Sequence, residues 1–304
     1  DGKGHFSDVT AARAKELALA GFVTQALWFD LDKDGDHDLI CALEWGGIDA
    51  YMNTNGQFTR KPLTDKKGWW NFVLPYDFDN DGDIDLLAGN QGLNSRLKAS
   101  PEQPVRLYYN DFDDNGKKEQ VLTYYVAGRE LPFPGKMIME KQIPVLKKRF
   151  LFAEDFAKAR LHDLFTNEKL SKSSQLSADY FSNALLVNDG NLNFSVQPLP
   201  WRAQLTSYRD AVIVNANNDS LPDVLLAGNY YDNNIEMGRY DACGVTLLLN
   251  TGNGAFTCEN GTSVKGQVRH IQKIKIAGKE AFVAARNNDS TLILQLKTPA
   301  RKDE

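Results

Sequence analysis

Three short segments of the sequence place oxygen-bearing side chains on alternate residues around a glycine. They read DLDKDGDHD at 30–38, DFDNDGDID at 77–85 and DFDDNGKKE at 111–119. Carboxylate and amide oxygens at the odd positions of such a loop can surround one cation, and glycine at the sixth position allows a sharp reversal of the chain. Calcium takes about six to eight oxygen ligands in flexible geometry, so the spacing predicts calcium-binding loops, about two to four ions in all.

Each loop offers candidate ligands at its first, third, fifth and ninth side chains and at the backbone carbonyl of its seventh residue. An Asn and a Glu replace two of the aspartates in the third loop, so its ligand charge is −3 rather than −4. The candidates are Asp30, Asp32, Asp34, Asp36 and Asp38 in the first loop, Asp77, Asp79, Asp81, Asp83 and Asp85 in the second, and Asp111, Asp113, Asn115, Lys117 and Glu119 in the third.

A fourth segment, NANNDSLPD at 215–223, is a degenerate copy of the same pattern. Its candidate ligands carry only two charges, and Ser220 stands where the other loops have glycine. Because fewer negatively charged ligands give a lower affinity for calcium, the sequence favours a hydrogen-bonded turn without an ion here. If a metal does bind, its candidate ligands are Asn215, Asn217, Asp219 and Asp223.

An EF-hand shares the first half of this pattern but needs a bidentate glutamate at position 12 and flanking helices. Position 12 is Cys41, Ala88 or Leu122 here, and the flanking segments are typical of strands. A solvated turn without an ion is the alternative for each loop. That alternative leaves the mutual repulsion of several adjacent carboxylates unexplained, so the sequence favours a bound metal.

Apolar and aromatic runs precede and follow each acidic segment, as VTQALWF and LICAL do around the first loop. Such runs, bounded by Gly, Asn and Asp, predict strands. A second signature, rich in Asn and Gly and ending in Phe, predicts further turns at 1–6, 53–58, 188–194 and 250–256. Each unit therefore contains four strands in about 50 residues, which is the size of one β-propeller blade.

Five such units can be counted. Four contain the acidic segments that begin at Asp30, Asp77, Asp111 and Asn215, and the fifth spans 266–296 without one. The sequence thus predicts an all-β fold, a β-propeller of four-stranded antiparallel blades over 1–304, with one helical insertion at 134–174. Within the insertion, Phe152, Phe156, Ala159 and Leu164 approximate a helical apolar stripe, and Pro144 should break or kink the part before it. The segment is therefore predicted to be a helical hairpin packed on the propeller.

Composition excludes some classes of function. Of 304 residues, 42% are hydrophobic and 25% charged, which is typical of a folded globular chain. The net charge of −5 argues against nucleic acid as a partner, and no apolar run reaches the ~18 residues of a spanning helix. The opening residues DGKGHF look like the interior of a longer polypeptide. Cys41, Cys243 and Cys258 have no metal-binding spacing; free thiols are favoured over a Cys243–Cys258 disulfide.

The pairing of NxGxGxF turns with DxDxDGxxD loops resembles the FG-GAP/VCBS repeat, the blade unit of integrin-α-type propellers. The stretches 68–96 and 238–256 resemble large VCBS-repeat proteins of Bacteroidetes-type bacteria, which often carry an ASPIC/UnbV module. This resemblance implies structural calcium in the loops and a secreted, periplasmic or outer-membrane-associated location. It also implies rings of seven or more blades, so that five units would form either part of a ring or an unusually small ring. It implies no defined activity.

The sequence shows no catalytic motif. The four histidines, His5, His37, His162 and His270, stand outside any known metal-binding or nucleophile motif. A calcium-held carboxylate has a lowered pKa, which does not suit a general acid. A ligand could instead contact the mouth of the predicted channel, for which the candidates are Trp69, Trp70, Arg96, Arg239 and Tyr240. The alternative is that these residues pack between blades.

Three hypotheses follow. The leading one is a non-enzymatic, calcium-stabilised propeller outside the cytoplasm that binds a protein or a glycan. The second is a propeller-type polysaccharide lyase or glycoside hydrolase with structural calcium and an active site in the central cleft. The third is an architectural domain of a larger envelope protein, which would have a filled channel and no concave pocket.

Overall fold

The computed structural model describes residues 2–259 and 264–296, and strands make up most of their regular structure. The prediction of an all-β fold with antiparallel sheets is confirmed. The strands are β1 (Phe22–Phe29), β2 (Asp38–Gly46), β3 (Ile48–Thr54), β4 (Gln57–Pro62), β5 (Gly68–Trp69), β6 (Phe72–Tyr76), β7 (Asp85–Gly89), β8 (Val105–Asn110), β9 (Glu119–Val126), β10 (Arg129–Pro132), β11 (Ser174–Ala178), β12 (Ala184–Asn188), β13 (Phe194–Pro198), β14 (Tyr208–Val214), β15 (Asp223–Gly228), β16 (Val245–Gly252), β17 (Ala255–Cys258), β18 (Val268–Ile276), β19 (Lys279–Arg286) and β20 (Leu292–Leu294).

The helices of the described residues are short. They are α1 (Thr10–Arg13), α2 (Lys136–Gln142), α3 (Val145–Arg149), α4 (Ala153–Lys158), α5 (Leu161–Leu164) and α6 (Asn167–Ser171), with 3-10 helices at Lys15–Leu19 and Trp201–Gln204. None of them is long and apolar enough to cross a membrane.

The chain divides into two compact units. The first unit comprises Asp1–Asn94 and Ser182–Glu304, and the second unit is the continuous segment Ser95–Phe181. Strand β7 precedes the second unit and β12 follows it, yet the two strands pair with each other, with Ala88 opposite Ala184. The second unit is therefore inserted within one sheet of the first. The last two strands of the second repeat therefore come from residues after the second unit, β12 and β13.

The described residues of the first unit form four antiparallel sheets. Sheet A has the order β1-β2-β3-β4 with β5 beside β2, sheet B has the order β6-β7-β12-β13, sheet D comprises β14 to β17, and sheet E comprises β18 to β20. The first strands of these sheets are neighbours, since β1 contacts β6, β6 contacts β14, and β14 contacts β18. Side chains bridge them: Gln25 Oε1 accepts a hydrogen bond from the Val73 N–H at 2.6 Å, and Asp210 Oδ2 accepts one from the Ile271 N–H at 2.8 Å.

The core of the first unit lies between neighbouring sheets. Phe72 and Leu87 of sheet B pack in one cluster with Tyr208 and Leu226 of sheet D. A separate cluster joins sheets D and E through residues such as Leu225 and Phe282. Each of these sheets therefore depends on its neighbours for burial, as repeated units do.

The predicted glycine-rich turns connect paired strands at three of their four positions. Asn55-Gly56 joins β3 to β4 and Asn253-Gly254 joins β16 to β17, with φ positive at all four residues. Positive φ at both central residues is typical of a tight hairpin turn. The turn at 188–194 joins β12 to β13. At the fourth position, 1–6, the described residues form no strand, and Phe6 is exposed.

The second unit has its own sheet and core. Sheet C has the order β10-β9-β8-β11, and the five helices α2 to α6 lie between β10 and β11 in the chain. The helical region is a run of short helices rather than a hairpin. Its buried residues include Ile143 and Phe165, which lie outside the helices, so a single helical period does not describe the packed face. Pro144 separates α2 from α3, as predicted, whereas Phe152 of the predicted stripe is exposed.

The cysteines are free in the structure. Cys41 is buried, and Cys243 and Cys258 are half-buried. Burial raises the pKa of the Cys41 thiol to about 11, so this thiol is inert at neutral pH.

We predict that the first unit folds without the second. Residues 95–181 would be replaced by a Gly/Ser linker of about four residues, a common connection length. The gap is short because the Asn90 N–H donates to Asn183 Oδ1 at 2.6 Å. The shortened chain should give a β-type circular dichroism spectrum and a cooperative thermal melt. A matched deletion of residues 182–198, which removes β12 and β13, should abolish both; loss of cooperative folding in the first variant would contradict the prediction.

Candidate metal loops and an arginine cluster

The three acidic loops share one backbone conformation. Left-handed residues occupy the fourth and sixth positions in each: Lys33 and Gly35, Asn80 and Gly82, and Asp114 and Gly116, with φ between 60° and 99°. Asn, Asp and Gly adopt this conformation readily, whereas lysine does so rarely. The two reversals curl each loop so that its alternate side chains converge.

The converging side chains form three acidic groups in the described part of the chain. Within each group, one oxygen from each of three carboxylates lies within 4.8 Å of the others. The groups are Asp30, Asp32 and Asp34; Asp77, Asp79 and Asp85; and Asp111, Asp113 and Glu119. Like charges this close repel unless a cation or a proton lies between them.

One oxygen in each group lacks a hydrogen-bond partner. Asp30 Oδ1, Asp77 Oδ1 and Asp113 Oδ1 are buried from solvent and accept no hydrogen bond. The other oxygen of the first-position aspartate is satisfied: Asp30 Oδ2 accepts from the Gly35 N–H at 3.1 Å, and Asp77 Oδ2 from the Gly82 N–H at 3.1 Å. A buried carboxylate oxygen without a partner is costly. These all-oxygen groups therefore fit a hard cation such as calcium.

The fifth position contributes a local hydrogen bond in every acidic loop. The side-chain oxygens of Asp34, Asp81 and Asn115 each accept from the backbone N–H two residues later, at 2.8 Å. The donors belong to Asp36, Asp83 and Lys117, the residues whose carbonyls were predicted as ligands. The loop geometry thus holds the seventh residue against the fifth side chain.

The ninth-position carboxylate makes hydrogen bonds that its spacing did not predict, while Asp85 and Glu119 also belong to the acidic groups; its role as a metal ligand stays a prediction. Asp38, which is fully buried, accepts from the Leu31 N–H at 3.0 Å within its own loop and from the Asn53 N–H at 2.8 Å in the glycine-rich turn. Asp85 does the same with Phe78, at 3.0 Å, and Asn188, at 2.9 Å. The buried carboxylate therefore ties the acidic loop to the turn. We call this carboxylate the ninth-position tie.

Burial of the tie carboxylates shifts their pKa values. Burial raises the pKa of Asp85 to about 6, against the opposing effect of its two backbone hydrogen bonds. Burial likewise raises the pKa of Asp38 and of Glu119. Near charges add to this, since Asp79 and Asp81 lie close to Asp85. A cation in the loop would oppose these effects and favour the ionised form.

The third loop is contacted by a lysine from a neighbouring helix. Lys169 of α6 donates to the Asp111 carbonyl at 2.7 Å and pairs with Asp114, all within the second unit. Burial would raise the pKa of Asp111, but hydrogen bonds from Gly116 and Asn115 and the charge of Lys169 hold it below its usual range. Glu119 makes the hydrogen bond within its own loop, accepting from the Phe112 N–H at 2.9 Å, which is one of the two bonds of the ninth-position tie.

The fourth loop satisfies its polar groups internally. Asn217 Nδ2 donates to Asp219 Oδ2 at 2.6 Å, and Asn215 Nδ2 donates to the Asp219 carbonyl at 2.8 Å. It forms none of the three acidic groups found among the described residues. These bonds are those expected of a hydrogen-bonded turn, and the metal content of this loop stays a prediction. Its ninth residue, Asp223, still ties Ala216 to Asn250, at 2.8 and 2.9 Å.

The predicted ligand residues lie in different surroundings. Trp70 and Tyr240 are buried; Trp70 Nε1 donates to the Lys66 carbonyl at 3.1 Å, and Tyr240 forms a β-bridge with Tyr230. Trp69 packs edge-on against Trp45, with ring centroids 5.1 Å apart. The Arg239 guanidinium lies 4.1 Å from the Tyr231 ring centroid, and that of Arg96 lies 5.0 Å from the Phe133 ring centroid in the second unit. Their role in binding a ligand stays a prediction.

Sequence reasoning missed a cluster beside these residues. Arg209 and Arg269 lie over the same ring, with guanidinium carbons 4.6 and 5.1 Å from the Tyr230 centroid, and Arg209 Nη1 donates to Asn71 Oδ1 at 2.6 Å. We call these four residues the arginine cluster. In sheet D the cluster and the acidic loop lie at opposite ends, because Tyr208 pairs with Gly228 and Val214 with Asp223. The sequence feature that could have indicated the cluster is an arginine as the second residue of β14 and of β18, in YRDAVIV and VRHIQ.

Comparison with known proteins bears on the acidic loops. Residues 30–88 match the family model of the FG-GAP-like repeat. This segment contains the first two acidic loops and strands β2 to β7. No curated protein matches the chain.

Two solved structures show remote similarity. One is an Agrocybe aegerita lectin described as recognising non-reducing terminal N-acetylglucosamine, with 12% identity, 91% of this chain and 81% of that chain covered, and a TM-score of 0.21. The other is BBS1N in complex with ARL6DN, with 10% identity, coverage of 92% and 81%, and a TM-score of 0.26. TM-scores this low support no argument about fold or function.

We predict that Asp223→Ala destabilises the first unit with or without calcium. The change leaves the Ala216 and Asn250 N–H groups without their acceptor. An unsatisfied buried donor costs about 1–3 kcal/mol, so the free energy of unfolding should fall by roughly 2–4 kcal/mol in urea titrations. Asp219→Ala in the same loop is the matched control and should cost less than about 1 kcal/mol, because Asp219 is exposed. Equal costs for the two variants would show that the tie is unimportant.

Proposed function

We propose that the chain is a calcium-stabilised β-propeller module that acts outside the cytoplasm and binds a protein or glycan without catalysing a reaction. The observation that carries the proposal is the set of buried carboxylate oxygens without partners in the acidic loops. The match of residues 30–88 to the FG-GAP-like repeat supports it, because that repeat is typical of propeller blades that bind calcium and other proteins.

The sheets of the first unit would be consecutive blades. Their first strands are adjacent in the order β1, β6, β14 and β18, and apolar clusters fill the space between neighbouring sheets. This arrangement is the one that blades have around a propeller axis. Sheet C, which contains the third acidic loop, would be a further repeat, and in the chain it lies between two strands of the second blade. Closure into a ring of seven or more blades, within a larger polypeptide, is part of the proposal.

Calcium would have a structural role. The ion supplies positive charge that neutralises the loop carboxylates. In each loop it would be held by the side chains of the first, third, fifth and ninth residues with the seventh carbonyl, which in the third loop are Asp111, Asp113, Asn115, Glu119 and the Lys117 carbonyl. The ninth-position aspartate ties the loop to the turn on the other side. Metal binding and folding of the sheet would therefore be coupled.

The proposed location and partner follow from the same features. FG-GAP repeat proteins are typically surface-exposed or extracellular, and the predicted bacterial relatives are exported or associated with the cell envelope. The net charge of −5 does not favour nucleic acid. We propose a protein or glycan ligand bound at the end of the sheets that carries the arginine cluster, opposite the acidic loops.

One observation favours the alternative of a polysaccharide lyase or glycoside hydrolase. Arg209 and Tyr230 converge at the start of β14, where an arginine could neutralise a uronic acid and a tyrosine could move a proton. Turnover of a uronic-acid polysaccharide by the purified chain would favour this alternative. Binding without turnover would favour the interaction module.

Chelation tests the calcium proposal. Excess EDTA should lower the melting temperature by roughly 10 °C or more, because each ion at about 100-fold its Kd contributes about 2.7 kcal/mol. Added calcium should restore the melting temperature, and magnesium should do so poorly because it demands a tighter octahedral site.

The matched control removes the first-position charges. A variant with Asp30→Asn, Asp77→Asn and Asp111→Asn should melt at the same temperature in EDTA and in calcium. If the unmodified chain itself melted at one temperature in both conditions, the proposed structural calcium would be refuted.

A further inference from the structure

The arginine cluster is built on an irregularity that recurs between strands. The register of the first strand of a sheet skips one residue at Thr24 in β1, at Arg209 in β14 and at Arg269 in β18. A β-bulge turns its extra side chain away from the regular alternation, and bulges often lie beside binding sites. In sheets D and E this extra residue is an arginine, and both arginines reach Tyr230.

Arg209 lacks a negative partner in the described part of the chain. Its one hydrogen bond goes to Asn71 Oδ1. Asn71 is itself held by its amide nitrogen Nδ2, which donates to the Asn90 carbonyl and to Ser207 Oγ, both at 3.0 Å. Arg209 Nε is buried from solvent and has no hydrogen-bond partner. The guanidinium is therefore oriented but not neutralised.

Arg269 is held more completely. Asp232 Oδ2 lies 3.6 Å from Arg269 Nη2. Gln267, with its side-chain oxygen turned toward Arg269, accepts from Nε at 3.1 Å and also from Nη2. Arg269 thus adds a second positive charge beside Arg209 while its own charge is largely offset. Burial, which is the larger cause, and the nearby charge of Arg269 together lower the pKa of Arg209 to about 10.

The carboxylates nearest to Arg209 do not form an ion pair with it, so its positive charge can still be paired with one negative charge. Asp210 lies next to Arg209 in the chain but pairs with His270, whose Nδ1 is 2.5 Å from Asp210 Oδ2, and accepts from the Ile271 N–H. Glu44 attracts Arg209 only from beyond ion-pair distance. Nη2 of Arg209 donates no hydrogen bond within the described residues, and a half-buried guanidinium with an unused terminal donor fits a carboxylate.

Aromatic rings border the cluster. The Tyr230 ring lies under both guanidinium groups, and Tyr231 follows it in the chain beneath Arg239. Trp69, two residues before Asn71, packs against Trp45. Flat apolar faces next to an arginine suit an acidic sugar, which presents a carboxylate beside apolar C–H faces, better than they suit a small inorganic anion.

We propose that Arg209 and Arg269 bind the carboxylate of a uronic-acid residue in an acidic glycan. The inference rests on the proposed function as a binding module and names the ligand class of that site. Arg209 binds the carboxylate directly, Asn71 orients Arg209, and Arg269, whose guanidinium also lies near the Tyr230 ring, adds positive charge.

The test uses the full chain in calcium and a galacturonic acid trisaccharide, with a galactose trisaccharide as the neutral comparison and a glycan array carrying other uronic acids. Isothermal titration should detect binding of the acidic trisaccharide, or of a uronic-acid glycan first identified on the array. It should detect no binding of the neutral trisaccharide. Arg209→Gln should weaken binding about ten-fold or more, and the affinity should fall as salt is added. Arg129→Gln, an exposed arginine in the second unit, should leave the affinity unchanged.

Several results would overturn the inference. These are failure of every uronic-acid glycan to bind, equal affinity of the Arg209→Gln variant, preference for phosphate or sulfate, or binding of acidic peptides alone. Thermal melts of each variant check folding, and Arg269→Gln provides a second loss-of-charge variant if Arg209→Gln does not fold. Binding of a neutral glycan or a protein would reject the inference while the proposed function stood. Absence of any ligand would reject both.

Discussion

A buried carboxylate at the ninth position of each loop is the constraint on which the repeat depends. In sheets A, B and D, one aspartate accepts one N–H from its own loop and another from the glycine-rich turn, so two reversals of the chain share one anion. Burying this charge is costly, and it raises the pKa of Asp85 to about 6. A cation held by the neighbouring carboxylates would offset part of this cost, and under the proposal metal binding is therefore linked to the packing of the whole sheet.

The two ends of the sheets carry different side chains. One end holds the acidic loops and the turns, tied together by buried carboxylates. The other end carries the arginine cluster, placed by bulges in the first strands of sheets D and E. A binding surface at this end gains precision because strands rather than long loops position its side chains. Calcium would act on that surface only through the stability of the sheets.

The sequence was a good guide where the chemistry is local. Alternate acids around Gly35, Gly82 and Gly116 were enough to predict the converging loops, and Asn-Gly pairs predicted hairpin turns. The same reasoning missed the turns at Ala127-Gly128 and Ala277-Gly278, where alanine takes a positive φ that it rarely adopts. Non-local features were out of reach: nothing near Ala88 shows that its strand partner is Ala184, and a β-bulge leaves no mark that would bring Arg209 and Arg269 to one ring.

The number of calcium ions bound per chain tests the central claim most directly. Isothermal titration of chelator-treated protein with calcium chloride measures this number without a known ligand. The three acidic groups predict three ions for the full chain, two in the first unit and one in the second. Titration heats that show no calcium binding would contradict the account, because the buried oxygens of Asp30, Asp77 and Asp113 would then lack the partner that the account gives them.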